Sequence, residues 1–289
     1  MARPASHASR RSWAWLGVVP FFAFALTFLV LPITFLVVGS FQEEQANLTL
    51  KNYADLSQDF IVRDYLNSLE ISIVTAIGGG LFGFLLAYAV ILGGLPRFLR
   101  TALMTFSGVA SNFAGVPLAL AFIFTLGTQG LVTVFLKNSV GVDIAAGGFS
   151  LYSKPGLEIV YMYFQFPLMV LIIAPAIDGL KKDWREASEN LGASSRQYWQ
   201  HVALPILTPT LLGTVILLFG NAFGAQATAY QLTGGTIPLE TLEISAQMRG
   251  DVLHNPGLGY ALAMGLVVIM AIAIGAYSIL QRRSERWLR

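Results

Sequence analysis

Six stretches of this 289-residue chain are each apolar for about 20 residues, the length an α-helix needs to cross a hydrocarbon core. They run near residues 15–38, 69–92, 102–126, 159–177, 206–232 and 258–280. No Asp, Glu, Lys or Arg interrupts their interiors; Glu70, Glu158 and Asp178 stand at the edges. Buried helices of a large soluble protein are the other reading of such runs. Charged residues make up 12% of the chain, against roughly 25% in ordinary soluble domains, which leaves too little polar surface to cover six of them. The sequence therefore predicts an all-α membrane protein with six transmembrane helices in one domain spanning 1–289.

Charge placement predicts the orientation. Arg3, Arg10 and Arg11 precede the first run, and Arg97 and Arg100 lie between the second and third. Lys181, Lys182, Arg185 and Arg196 lie between the fourth and fifth, and Arg282, Arg283, Arg286 and Arg289 follow the sixth. The other side holds only Lys51, Arg63, Lys137, Lys154 and Arg249, with the acids Glu43, Glu44, Asp55, Asp59 and Asp64 in its first loop. By the positive-inside rule both termini are cytoplasmic, as is the 181–205 stretch. A cleaved signal peptide is the alternative for the first run, with 37–39 as a weak cleavage site. Its length and its Pro20 and Pro32 favour a retained helix. Loops at 141–154 and 233–256 are rich in Gly and Pro and too short for a domain of their own.

One polar island breaks the apolar pattern: Glu-Ala-Ser-Glu-Asn-Leu-Gly-Ala-Ser-Ser-Arg-Gln-Tyr-Trp-Gln-His-Val-Ala-Leu-Pro over residues 186–205. Its local signals predict two short helices. Residues 183–191 are good helix formers, with Trp184, Ala187 and Leu191 on one face. Gly192 is a natural stop, and Ser194 with Gln197 three residues later is a capping-box start. The second helix presents Tyr198, Trp199 and Val202 beside Arg196 and His201, and Pro205 restarts the chain as the fifth span. An amphipathic loop resting on the bilayer is the plainer reading of the same residues.

The spacing of Glu186-Ala187-Ser188, Gly192, Val202, Leu204 and Pro205 resembles the EAA loop of permease subunits of binding-protein-dependent ABC importers. Ser188 and Val202 are mild departures from that pattern. Residues 48–53, Asn67-Ser68, Gly78 to Gly80 with Gly83 and Ala87-Tyr88, 112–117 and 232–235 are similar to segments of the polyamine, iron(III) and phosphonate branch. The resemblance implies a type I permease fold, with five core helices and an embracing first helix. It also implies a coupling loop, about 181–205, that docks in a cytoplasmic ATPase dimer through Glu186, Ala187, Ser188, Gly192, Tyr198, Trp199, Val202, Leu204 and Pro205. The other implied partners are a second permease subunit, expected to be a paralogue, an extracytoplasmic solute-binding protein and the lipid of a bacterial inner membrane. ATP and Mg would bind the ATPase, with no cofactor or nucleic acid on this chain. A polyamine (spermidine or putrescine) is the first expectation for the substrate, with phosphonate or iron(III) behind it.

Uncharged polar residues within the runs point to a substrate route, since each needs a partner in hydrocarbon. These are Asn112, Gln165, Asn221, Gln226 and Tyr230. Pro117 and Pro167 are expected to break the third and fourth spans nearby. Interhelical hydrogen bonds that fix packing are the other reading of each polar residue. The chain lacks cysteine, and His7, His201 and His254 are far apart, so no metal-ligand spacing is present. It has no P-loop motif, and Ser72, Ser107 and Ser111 have no evident base, so the chain is not expected to be an enzyme. An ion-coupled secondary transporter is the competing function, disfavoured by the lack of a mid-span carboxylate.

Overall fold

The computed structural model describes residues 17–43, 47–143, 146–249 and 255–285. Arg3, Arg10, Arg11, Glu44, Gly250, Arg286 and Arg289, which entered the charge and loop arguments, lie outside the described residues. Among the described residues six helical runs are long and apolar enough to span a membrane. The first is α1 (Val19–Ser40), which contains a π turn at Leu26–Val30. It is followed by the short α2 (Lys51–Asp55) and by α3 (Asp59–Leu92). Next come α4 (Arg97–Ala110), α5 (Val116–Leu126) and α6 (Leu131–Phe135). Then come α7 (Lys154–Asp178), α8 (Lys182–Asn190) and α9 (Ser195–Phe223). The chain closes with α10 (Gln226–Thr233), α11 (Glu240–Arg249) and α12 (Pro256–Glu285). Described residues form no strand, only an isolated bridge between Gln42 and Leu48.

The centre of the molecule is the packing of α3 on α7. Lipid supplies no hydrophobic drive between helices, so close packing through small residues must hold them together. A Cβ built on Gly79 would lie 2.5 Å from Gln165 Cβ, and one on Gly83 would lie 2.5 Å from the Phe166 carbonyl oxygen. The two backbones therefore meet where the sequence places its small residues. Helix α9 packs across both, and Gln165 Nε2 donates to the Leu218 carbonyl of α9 at 2.9 Å. By contrast α1 buries nothing before Gly39 and Ser40, and presents Phe21, Phe24, Phe28 and Phe35 openly. Its far end is pinned where Gly39 admits the Tyr260 ring of α12 and Asn52 Nδ2 donates to the Ser40 and Gln42 carbonyls.

Several expected boundaries shift. Helix α3 starts at Asp59 rather than near 69. Its 34 residues extend about 51 Å, well beyond a ~30 Å hydrocarbon core, and hydropathy registers only the apolar part. The third run shifts as well, to Val116–Val140 in place of 102–126, and the chain is broken just before Pro117. Helix α4 starts at the end of the bundle where Arg100 pairs with Asp178 of α7, and the chain bends at 111–115 before α5 packs on α10. Gly115 holds φ +73 there, a conformation only glycine adopts without strain. The fourth passage corrects the expectation of a break: α7 runs unbroken through Pro167 and Pro175, packed against α3 and α9. In the fifth passage the chain breaks at Gly224 and Ala225, between α9 and α10.

Replacing Gly83 by Val forces α7 away from α3. The expected cost is about 1–3 kcal/mol, read as a lower melting temperature of the detergent-purified protein. Gly275→Ala, whose Cβ meets nothing within 4 Å, should not lower that temperature, since alanine favours a helix interior over glycine.

Candidate functional site

Between α7 and α9 the polar island folds as a helix pair. Helix α8 ends in a Schellman motif. Gly192 at φ +77 donates to the Glu189 carbonyl at 2.9 Å, and Ala193 donates to that of Ser188 at 3.0 Å. The next helix opens on a capping box: Gln197 N donates to Ser194 Oγ at 3.3 Å, and Ser194 N donates to Gln197 Oε1 at 2.8 Å. A salt bridge from Arg185 to Glu189 at 3.0 Å and Lys181 stacked 5.6 Å over the Trp184 ring stiffen α8. Glu186, Ala187 and Gly192 are exposed, while Ser188 is buried and donates to the Arg185 carbonyl at 2.7 Å. Leu191 stands 88% exposed at the tip, an apolar knob that sequence reasoning had assigned only to a helix face.

The aromatic pair differs from expectation. Tyr198 is buried, and Trp199 turns inward to meet Tyr88 of α3 edge to face at 5.1 Å. Neither is presented as a free knob, because the second short helix is continuous with α9 and its inner face already lies against the bundle. A π turn at Trp199–Ala203 joins them, with the Leu204 N–H donating to the Trp199 carbonyl. Pro205, which has no N–H, follows inside the same helix instead of restarting the chain. Val202 and Leu204 are half-buried in that joint.

At the opposite end, α3, α5, α10 and α11 surround an open cavity of about 730 Å³. Gln226 and Tyr230 line it, with Asp64, Glu243, Ser245 and Arg249. Asn112 and Asn221 are exposed, and Asn112 Nδ2 donates to the Gly108 carbonyl at 3.0 Å. Gln165 is separated from all of these, since it is fully buried between α7 and α9. Its geometry is that of a packing residue. The breaks are tied together where Gly115 N donates to Thr228 Oγ1 of α10 at 2.8 Å and Tyr161 donates to the Ala225 carbonyl. Beside the cavity, Asn67 Nδ2 donates to the Pro238 carbonyl at 3.2 Å, and the Glu240 N–H donates to Ser68 Oγ at 3.0 Å. Lys154 pairs with Glu70 at 2.5 Å. Among the described residues no cluster of three or more His, Cys, Asp or Glu could hold a metal.

The profile of the binding-protein-dependent transport system inner membrane component matches residues 79–286, a segment that contains the helix-pair loop. The chain belongs to this family. It is a type I permease subunit of a binding-protein-dependent importer, a multi-pass membrane protein and not an enzyme. The sulfate transport system permease protein CysT of Salmonella typhimurium is 28% identical over 267 residues, covering 91% of this chain and 90% of that one. The spermidine/putrescine permease PotB of Haemophilus influenzae is 25% identical over 269 residues, covering 92% of each. A solved bacterial ABC transporter involved in import of the acidic polysaccharide alginate superposes with a TM-score of 0.73 at 18% identity, covering 94% of this chain and 96% of that chain. The permease thus carries its loop and its open cavity at opposite ends of one helical bundle.

Glu240, beside the cavity, is a residue that no sequence signal had marked and whose proton matters. It is fully buried, and neither carboxylate oxygen has a hydrogen-bond partner. Its place in the first turn of α11 favours a negative charge. Burial outweighs this and pushes its pKa from 4.5 up to about 8. The fold therefore holds the protonated acid. No penalty exists below the unfolded pKa of 4.5; the penalty grows as pH rises from there and levels off above about 8. The melting temperature of the native permease should fall between about pH 5 and about pH 8, and Glu240→Gln should flatten that fall.

Proposed function

We propose that this permease forms half of the solute path of an ATP-driven importer and receives its driving force through the 181–205 loop. The observation that carries this reading is the capped helix pair, whose tip leaves Glu186, Ala187 and Leu191 exposed around the Gly192 turn while its second helix packs on the bundle. A rigid short helix with an apolar tip, anchored to two spans, suits insertion into a partner's groove. The partner is a cytoplasmic ATPase dimer, which supplies the ATP and Mg sites. Lys181, Lys182, Arg185 and Arg196 at that end support a cytoplasmic placement, with both termini on the same side. A second permease subunit, read as a paralogue, completes the path, and an extracytoplasmic binding protein delivers the solute at the cavity end. Asn112, Asn221, Gln226 and Tyr230 are the residues that fit the route.

Sulfate is the solute the relatives favour, several of them being sulfate permeases at 24–28% identity over most of this chain. This replaces the polyamine expectation as the leading reading. Spermidine or putrescine stands second, supported by the PotB relative and by the carboxylates of Asp64 and Glu243 at the cavity.

Two measurements test the proposal. Gly192→Val strains the Schellman turn by about 1–2 kcal/mol, and with Glu186→Ala it should reduce co-purification of the ATPase while the permease still folds. An ATPase that binds both variants as tightly as the native chain would remove the loop from the docking site. In cells carrying the whole system, labelled sulfate should accumulate and labelled spermidine should not; the reverse result selects the amine.

A further inference from the structure

We propose that α3, rather than only the two spans joined to the loop, carries the loop's motion to the opposite end of the bundle, with Tyr88 and Trp199 as its positioning residues. The inference rests on the loop being the docking site for the ATPase.

Stiffness decides the route. Helix α9 is attached directly to the loop, yet it contains a π turn at Trp199–Ala203, prolines 205 and 209, and a break at Gly224. Each is a place where a helix bends. Helix α3 has no proline and no π turn over its 34 residues, and the Gly79 to Gly83 stretch is backed by α7. Displacement entering at the loop is absorbed along α9 and preserved along α3.

Helix α3 is also held at both ends. At the loop end Trp199, inside the π turn, rests edge to face on Tyr88. Twenty residues earlier, about 30 Å along the helix, Ser68 accepts from the Glu240 N–H, and Asn67 donates to the Pro238 carbonyl. Those two contacts hold the 234–240 connection, which starts at Gly234 and Gly235 with φ of +60 and +84, a natural hinge. Gly235, Pro238 and Leu239 are part of the cavity wall, as is Asp64 of α3 itself. A shift or rotation of α3 driven at Tyr88 therefore moves one wall of the cavity directly. The two contact points are separated by roughly the thickness of the hydrocarbon core, so the connection runs from one face of the membrane to the other without an intervening joint.

The test uses the whole importer in proteoliposomes and does not depend on which solute is carried. The chain has no cysteine, so Ser245→Cys places a single thiol at the cavity for a membrane-impermeant maleimide. In the otherwise native complex, labelling should change by about fivefold or more between the nucleotide-free and vanadate-trapped states. Tyr88→Ala should abolish that change while the ATPase remains bound and hydrolyses ATP, and Tyr88→Phe should retain it. Ser68→Ala, at the other end of α3, should also reduce it, which keeps the test decisive if Tyr88→Ala does not fold. A full nucleotide-dependent change in both Tyr88→Ala and Ser68→Ala would overturn the proposal, as would no change in the native complex. Failure of the docking reading is seen separately, as an ATPase whose binding is indifferent to Gly192→Val.

Discussion

Everything in this permease hangs on the approach of α3 to α7, where Gly79 and Gly83 leave no room for a side chain against Gln165, Phe166 and Met169. In lipid, apolar surface gains little by leaving its surroundings, so helices adhere through dense packing and a few interior hydrogen bonds. The Gln165 amide adds one such bond and brings α9 onto the pair. Once these three helices are fixed, the loop that joins α7 to α9 and the 234–240 connection bound to α3 are placed with them.

Three of the chain's breaks lie where other parts of the protein can satisfy the freed backbone. The bend at 111–115 is met by Thr228, the break at Gly224 and Ala225 is met by Tyr161, and the 234–240 connection is met by Asn67 and Ser68. Unpaired backbone groups are costly in hydrocarbon. The breaks therefore gather at one end of the bundle, around the open cavity, and support each other. These irregular segments are held by a small number of side-chain contacts, which is what lets one stiff helix influence them.

What was legible in the sequence followed the range of the interactions involved. The loop's first helix, its Gly192 turn and its Ser194 cap depend on contacts within five residues, and the structure has them as the sequence implied. The third-span break near Pro117 was equally local. Proline alone did not decide the fourth span, because α7 keeps its course where neighbouring helices hold it. Tyr198 and Trp199 read as outward knobs because helix periodicity does not reveal that α3 lies alongside. Gln165 read as a pathway candidate for the same reason: polarity in a span signals a partner, and only the packing says that the partner is a carbonyl of α9.

By itself the sequence determined the number of spans, the capped loop between the fourth and fifth, and membership of a transporter architecture, since hydropathy, glycine turns and capping are written in short stretches of chain. Tertiary structure alone decided which polar residues face the cavity, that the Glu240 carboxyl is buried without a hydrogen-bond partner, and that Tyr88 meets Trp199. Those outcomes depend on residues far apart in sequence being brought within a few ångströms, and that is settled by how closely α3, α7 and α9 can pack.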